Sequence, residues 1–152
     1  MAQTSEQPDL RTIDERAGHC FGCGPANPQG LHLTFVVDMA AISASATVNL
    51  THMHEGPPGF IHGGILATLM DEAMSKLSRP LRVLAVTRHM EVDYLRPAPL
   101  GKDLLLTSQH IRRDGRKLFH TAELTEPGGR TLTRATGLFI VLDATAALLA
   151  ED

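Results

Sequence analysis

The chain has 152 residues, enough for one hydrophobic core that needs no disulfide or metal in order to fold. Apolar residues make up 43% and charged residues 20%, a globular balance that excludes a wholly disordered chain. A net charge of -3, no Trp and a single Tyr argue against a protein built to grip nucleic acid, and no apolar run is long enough for a membrane span.

Residues 1–18 are polar, without a sustained apolar period, and are expected to form a loose N-terminal arm or a short helix. They carry Glu6, Asp9, Asp14 and Glu15, and lack the apolar core of a secretory signal or the acid-poor character of a transit peptide, so a cytoplasmic protein is expected. Cys20 and Cys23 form one C-x-x-C in a stretch rich in Gly, Pro and Asn. With no second cysteine pair, the expectation is a tight turn with two half-buried thiols and no metal or cofactor. Residues 31–37 read as a strand, and residues 42–50 more clearly so, with apolar residues at 42, 44, 46, 48 and 50. Gly56-Pro-Pro-Gly59 marks a loop. A helix is expected from about His62 to Arg79, closed by Pro80, with an apolar stripe at 65, 66, 69, 70, 73, 74 and 77. Four strands are expected at 83–96, 103–113, 116–125 and 131–142, with turns at Asp114-Gly115 and Pro127-Gly128-Gly129. This order predicts an α+β fold: one long helix against an antiparallel sheet of about five to six strands, in a single domain over 19–143, followed by a tail at 144–152.

The chemistry concentrates between His54 and Asp71. Gly63 and Gly64 stand where the helix begins and its first N–H groups lack intrahelical partners. Without side chains there, a ligand oxygen can approach these donors and the positive end of the helix dipole. The competing reading is that the glycines only let the loop turn into the helix. Glu72 has Lys76 four residues on and reads as an exposed ion pair. Asp71 has no such local cation and lies at the edge of the apolar stripe, where a carboxylate must find a distant partner or do chemistry. Along one helix, Asp71 and Gly63 are about 12 Å apart at 1.5 Å per residue, so a shared substrate would need a second chain or a bend.

His-Gly-Gly at a helix start, Asp71 nine residues after His62, one long helix and an antiparallel sheet together resemble the hotdog-fold acyl-CoA thioesterases. The resemblance is to the phenylacetate-pathway type and the thioesterase superfamily member four group, through Gly56-Pro-Pro-Gly-Phe-Ile-His-Gly-Gly and Ala67-Thr-Leu-Met-Asp71. The opening Cys20-Phe-Gly-Cys-Gly-Pro-Ala-Asn-Pro-Gln-Gly-Leu31 resembles bacterial members. The resemblance implies a sheet wrapped around the helix, and a homodimer or a dimer-of-dimers tetramer with sites at the dimer interface, where Gly63 of one chain faces Asp71 of the other. It implies that the N–H of Gly63 or Gly64 polarises a thioester carbonyl, that Asp71 is general base or nucleophile, and that Thr87 helps hold the water. It implies that His62 shapes the loop and assists the carbonyl. His54, Gly56, Arg88, Arg112 and Arg113 are the candidate substrate-binding residues for acyl-CoA. Gly56 departs from relatives that carry Asn there.

Each residue also has a plainer reading. Thr87 is otherwise a strand threonine on a polar face with His89, Glu91 and Asp93. Arg88 falls with Val86, Met90, Val92 and Tyr94, facing a channel or marking a bulge. Arg112, Arg113, Arg116 and Lys117 are otherwise a solvated hairpin tip. His52-x-His54 with His62 and Asp71 would be a metal alternative. The competing functions are a non-catalytic acyl-ligand binder and hydratase or dehydratase chemistry on the same fold.

Overall fold

A computed structural model describes residues 18–142; the expected arm and tail fall almost wholly outside them. Six strands alternate with two helices in the order β1 (Val36–Asp38), β2 (Ser43–Val48), α1 (Gly63–Ser75), α2 (Ser78–Leu81), β3 (Ala85–Tyr94), β4 (Leu104–Asp114), β5 (Lys117–Thr125) and β6 (Thr131–Val141). The strands pair antiparallel in one sheet ordered β1-β2-β4-β5-β6-β3. The short β1 and the long β3 are therefore its two edges.

The period of two seen at 42–50 becomes a one-faced strand: Ala44, Ala46 and Val48 are buried, while Thr47 is exposed. The same alternation in β4, β5 and β6 lays Leu104, Leu106, Leu118, Leu124 and Phe139 on one face. The broad stripe of α1 packs on that face through Leu66, Leu69, Met70, Ala73 and Met74. Gly137 of β6 lets the helix settle close, because a Cβ there would lie 2.9 Å from the Met74 side chain. Ser108 is buried in the same layer and donates to the Ala73 carbonyl at 2.6 Å.

Two elements are shorter than the sequence suggests. The helix ends at Ser75 rather than at Arg79. Pro80 cannot sit inside a continuous helix, since it has no N–H and its ring meets the carbonyl four residues back. The chain instead turns at Leu77, which is fully buried, and restarts as α2 with Pro80 in its first turn. There the missing N–H has no intrahelical partner to lose. Of the strand expected at 31–37, only Val36 and Val37 join the sheet, in β1. Leu31 and Leu33 are buried, but their N–H groups bond to the carbonyls of Phe21 and Gly22 in the cysteine turn, at 2.7 and 2.9 Å, instead of to a strand.

Among the described residues no helix is long and apolar enough to cross a membrane.

Candidate active site

The loop before α1 is drawn tight. Glu55 and Ile61 bridge, the His62 N–H bonds to the His54 carbonyl at 2.9 Å, and the Gly56 N–H bonds to that of Phe60 at 2.9 Å. A Cβ on Gly56 would stand 2.8 Å from the His62 Cα, so Gly56 is there for close backbone passage. His62 caps the helix: its Nδ1 accepts the Gly64 N–H at 2.9 Å. This separates the two glycines. The Gly64 donor is engaged by the cap. The Gly63 N–H has no acceptor among the described residues, as the first position of a helix dictates. The carbonyl of Gly63 accepts from the Tyr94 hydroxyl of β3 at 3.2 Å, fixing that peptide.

Asp71 lies one turn before the end of α1 and is half-buried. Thr87 of β3 donates its hydroxyl to Asp71 Oδ1 at 2.5 Å. The plainer reading of Thr87, on one face with His89, Glu91 and Asp93, is overturned by a β-bulge. Thr87 pairs with Phe139 and His89 with Leu138, leaving Arg88 without a partner in the ladder. The extra residue shifts parity, so Thr87 shares the helix-facing side with Met90 and Val92. Arg88 is exposed at the bulge and leaves the apolar series in which alternation placed it.

The remaining candidates lie elsewhere. Arg112 stacks its guanidinium 3.8 Å above the Phe119 ring, and Arg113 donates to the Gly115 carbonyl at 2.8 Å. Both contacts lie within the β4–β5 hairpin. His54 sits in a short 3-10 turn over His52–His54, where two imidazoles do not share a side as they would on a strand. Its Nδ1 is buried with no partner among the described residues. Gly63 and Asp71 remain two turns apart on one straight element, about 12 Å along its axis.

The grouping with metal-ligand character is a different one: Cys20, Cys23 and Glu72, whose ligand atoms all lie within 4.8 Å of one another. Glu72 does pair with Lys76, at 2.7 Å, but the pair is not an open surface one. The Glu72 side chain is 12% exposed, covered by the cysteine turn. Cys20 Sγ lies 3.8 Å from both carboxylate oxygens, and Lys76 Nζ lies 2.8 Å from Cys23 Sγ. Burial first, and the Glu72 carboxylate second, push the Cys23 thiol up to about 11. Nothing local in the sequence signals this cluster, since the turn and the helix residue are 52 positions apart.

A helix cradled by a six-stranded antiparallel sheet, with a carboxylate held from the edge strand and a free donor at the helix start, defines a class that the comparisons name. The family model of the thioesterase superfamily matches residues 58–133, half of the chain, and the chain belongs to that superfamily. The rat acyl-coenzyme A thioesterase THEM4 is 38% identical over 92 residues, covering 59% of this chain and 39% of that protein. The chain thus spans about two-fifths of the length of this curated relative. The Escherichia coli PaaI protein of the phenylacetic acid degradation operon superposes with a TM-score of 0.72 at 21% identity, over 90% of this chain and 93% of that one. A Streptococcus pneumoniae thioesterase protein solved with coenzyme A superposes with a TM-score of 0.63 at 22% identity, over 65% and 80%. The fold is the hotdog fold of these proteins.

Proposed function

We propose that the protein hydrolyses acyl-CoA thioesters to the free acid and CoA, with Asp71 as the catalytic carboxylate and the Gly63 N–H as the oxyanion donor. The observation that carries this reading is the Thr87–Asp71 hydrogen bond, which orients a half-buried carboxylate. The names of the relatives, acyl-coenzyme A thioesterases among them, and the coenzyme A held by the Streptococcus pneumoniae neighbour support the substrate class.

A thioester carbonyl is electrophilic and a thiolate leaves readily, so a positioned carboxylate and one backbone donor suffice. Asp71 takes the proton of a water that attacks the carbonyl carbon. The oxyanion gathers at the Gly63 N–H and the positive end of α1. Collapse expels the CoA thiolate, which takes up the proton. Direct attack by Asp71 is the other route, and incorporation of labelled water oxygen into Asp71 in a single turnover distinguishes it.

The separation of Gly63 from Asp71 along α1 is resolved by a homodimer in which Gly63 of one copy meets Asp71 of the other. The edge strand β3 supports this arrangement. It carries Thr87 and Tyr94, its outer ladder is open among the described residues, and Val86, Tyr94 and Leu95 are 47%, 54% and 48% exposed. A tetramer would be two such dimers. The test is thiol release over short, long and aromatic acyl-CoAs by wild-type chain and Asp71→Asn. The reading expects a rate that falls by about 10²–10⁴-fold in the folded variant. An unchanged rate in the variant would place the catalytic group elsewhere, and no thiol release from the wild-type chain would favour a binder over an enzyme.

A further inference from the structure

The chain holds a second cluster of reactive side chains, away from the Asp71 carboxylate and unused by hydrolysis. Cys20 and Cys23 come from the turn at 18–24, and Glu72 from the last turn of α1. The turn is closed by the Gly24 N–H to the Cys20 carbonyl at 2.8 Å and the Ala26 N–H to the Gly18 carbonyl at 2.7 Å. A Cβ on Gly24 would fall 2.3 Å from the Cys20 nitrogen, so only glycine permits this closure. The closure directs both sulfurs toward α1, where the backbone of Gly22 rests against the Glu72 carboxylate. Both thiols are free and half-buried, and the sulfurs and a carboxylate oxygen lie within 4.8 Å of one another.

We propose that Cys20, Cys23 and Glu72 form a binding site for one thiophilic divalent cation of the zinc class, which staples the turn to α1. The chemistry of the donors selects the ion. Two cysteines at C-x-x-C spacing supply the bite that zinc sites use, and a carboxylate is an accepted third ligand. Charge closes as well. Binding releases the two thiol protons to solvent; two thiolates, one carboxylate and a dication then sum to one negative charge. Lys76 balances it, already within 2.8 Å of Cys23 Sγ and 2.7 Å of Glu72 Oε1, where its ammonium holds both ligands in place. The fourth position is left to solvent, on the side of a cavity of about 540 Å³ lined by Cys23, His32, Lys76 and Arg79. This departs from the sequence reading, which found no second cysteine pair: the third ligand comes from the helix, 52 positions away.

The staple has work to do. Residues 18–35 form no helix or strand, yet they bury Leu31 and Leu33. A metal closing the loop between Cys20 and Glu72 would fix this cover over α1, one residue from Asp71.

The test uses the full chain, reduced and kept free of oxygen. Metal content of the protein as purified is measured, and the apo form is titrated with Co²⁺ alone. The proposal expects one Co²⁺ per chain, a thiolate-to-cobalt charge-transfer band and the intense visible bands of a tetrahedral ion, all displaced by Zn²⁺. Cys20→Ser and Cys23→Ser abolish the charge-transfer band or halve it, and Glu72→Gln weakens binding while keeping both thiols. Lys76→Met lowers affinity by about 10–100-fold, the usual effect of losing a group that orients the ligands. Circular dichroism of the apo variants verifies that they are folded. No band in folded, reduced wild-type chain overturns the proposal, and so does a band that survives loss of both cysteines. A Cys20–Cys23 disulfide that, once reduced, takes up no cobalt overturns it in favour of a redox pair.

Discussion

Thr87 of the edge strand donates to Asp71 of the helix at 2.5 Å, across sixteen residues of sequence. The bulge at Arg88 makes the bond by turning Thr87 onto the helix-facing side. A hydrogen bond to a charged group contributes about 1.5–3 kcal/mol. Thr87→Val is therefore expected to slow thiol release by roughly 10–100-fold. Thr87→Ser, which keeps the hydroxyl, should recover most of that rate. Equal rates for Val and Ser variants would show that the hydroxyl only packs.

Gly63 is the first residue of α1, and the His62 ahead of it has φ -59° and ψ 137°. Proline is at home at the first helical position, and the residue before it favours those angles. Gly63→Pro thus removes one N–H and little else. Circular dichroism should show a folded chain, with thiol release down by about 10²–10³-fold, the range for a lost oxyanion donor. Full activity would assign the donor elsewhere.

Gly56→Ala sets a methyl against the backbone of the helix cap, 2.8 Å from the His62 Cα. Backbone cannot swing aside as a side chain can, so a loss of about 1–3 kcal/mol is expected in urea unfolding. An unchanged midpoint would contradict the close passage.

His120 is 1% exposed, and its Nδ1 lies 3.1 Å from Nδ1 of His110 on the neighbouring strand. Burial first, and the nearby His110 second, lower His120 from 6.5 to about 4. Above pH 6.5 neither folded nor unfolded chain holds this proton. Between 6.5 and 4 the unfolded chain takes it up and the folded chain does not, so stability falls as pH drops through that window. The loss from this residue is on the order of 3 kcal/mol. His120→Phe should flatten the pH dependence of the unfolding midpoint relative to wild type. Parallel curves would place the acid sensitivity in other groups.

Periodicity and turn chemistry made most of the sheet legible. The alternation at 42–50 became β2, Asp114-Gly115 a hairpin turn, and the stripe from Ile65 to Met74 the buried face of α1. Asp71 stood out because no cation lay three or four residues from it, and Gly63 because it opened that helix. What local reading could not reach are contacts made across the fold. A strict period of two put Thr87 with His89, and one bulged residue reversed that. Glu72 and Lys76 have surface spacing, yet a turn 52 positions away covers them. His62 took the Gly64 donor through a side-chain nitrogen that glycine placement does not reveal.

The central claim is that Gly63 and Asp71 act together from different copies of the chain. Subunit mixing tests it most directly. Asp71→Asn and Gly63→Pro homodimers are prepared separately, unfolded together and refolded, then assayed for thiol release. In a mixed dimer one site carries both lesions and the other is wholly wild type. The mixture is expected to recover about a quarter of the wild-type rate although each parent is nearly inactive, since random mixing makes half the dimers mixed and each has one intact site. A mixture no more active than its parents, with mixed dimers shown by mass spectrometry, would contradict it and confine each site to a single chain.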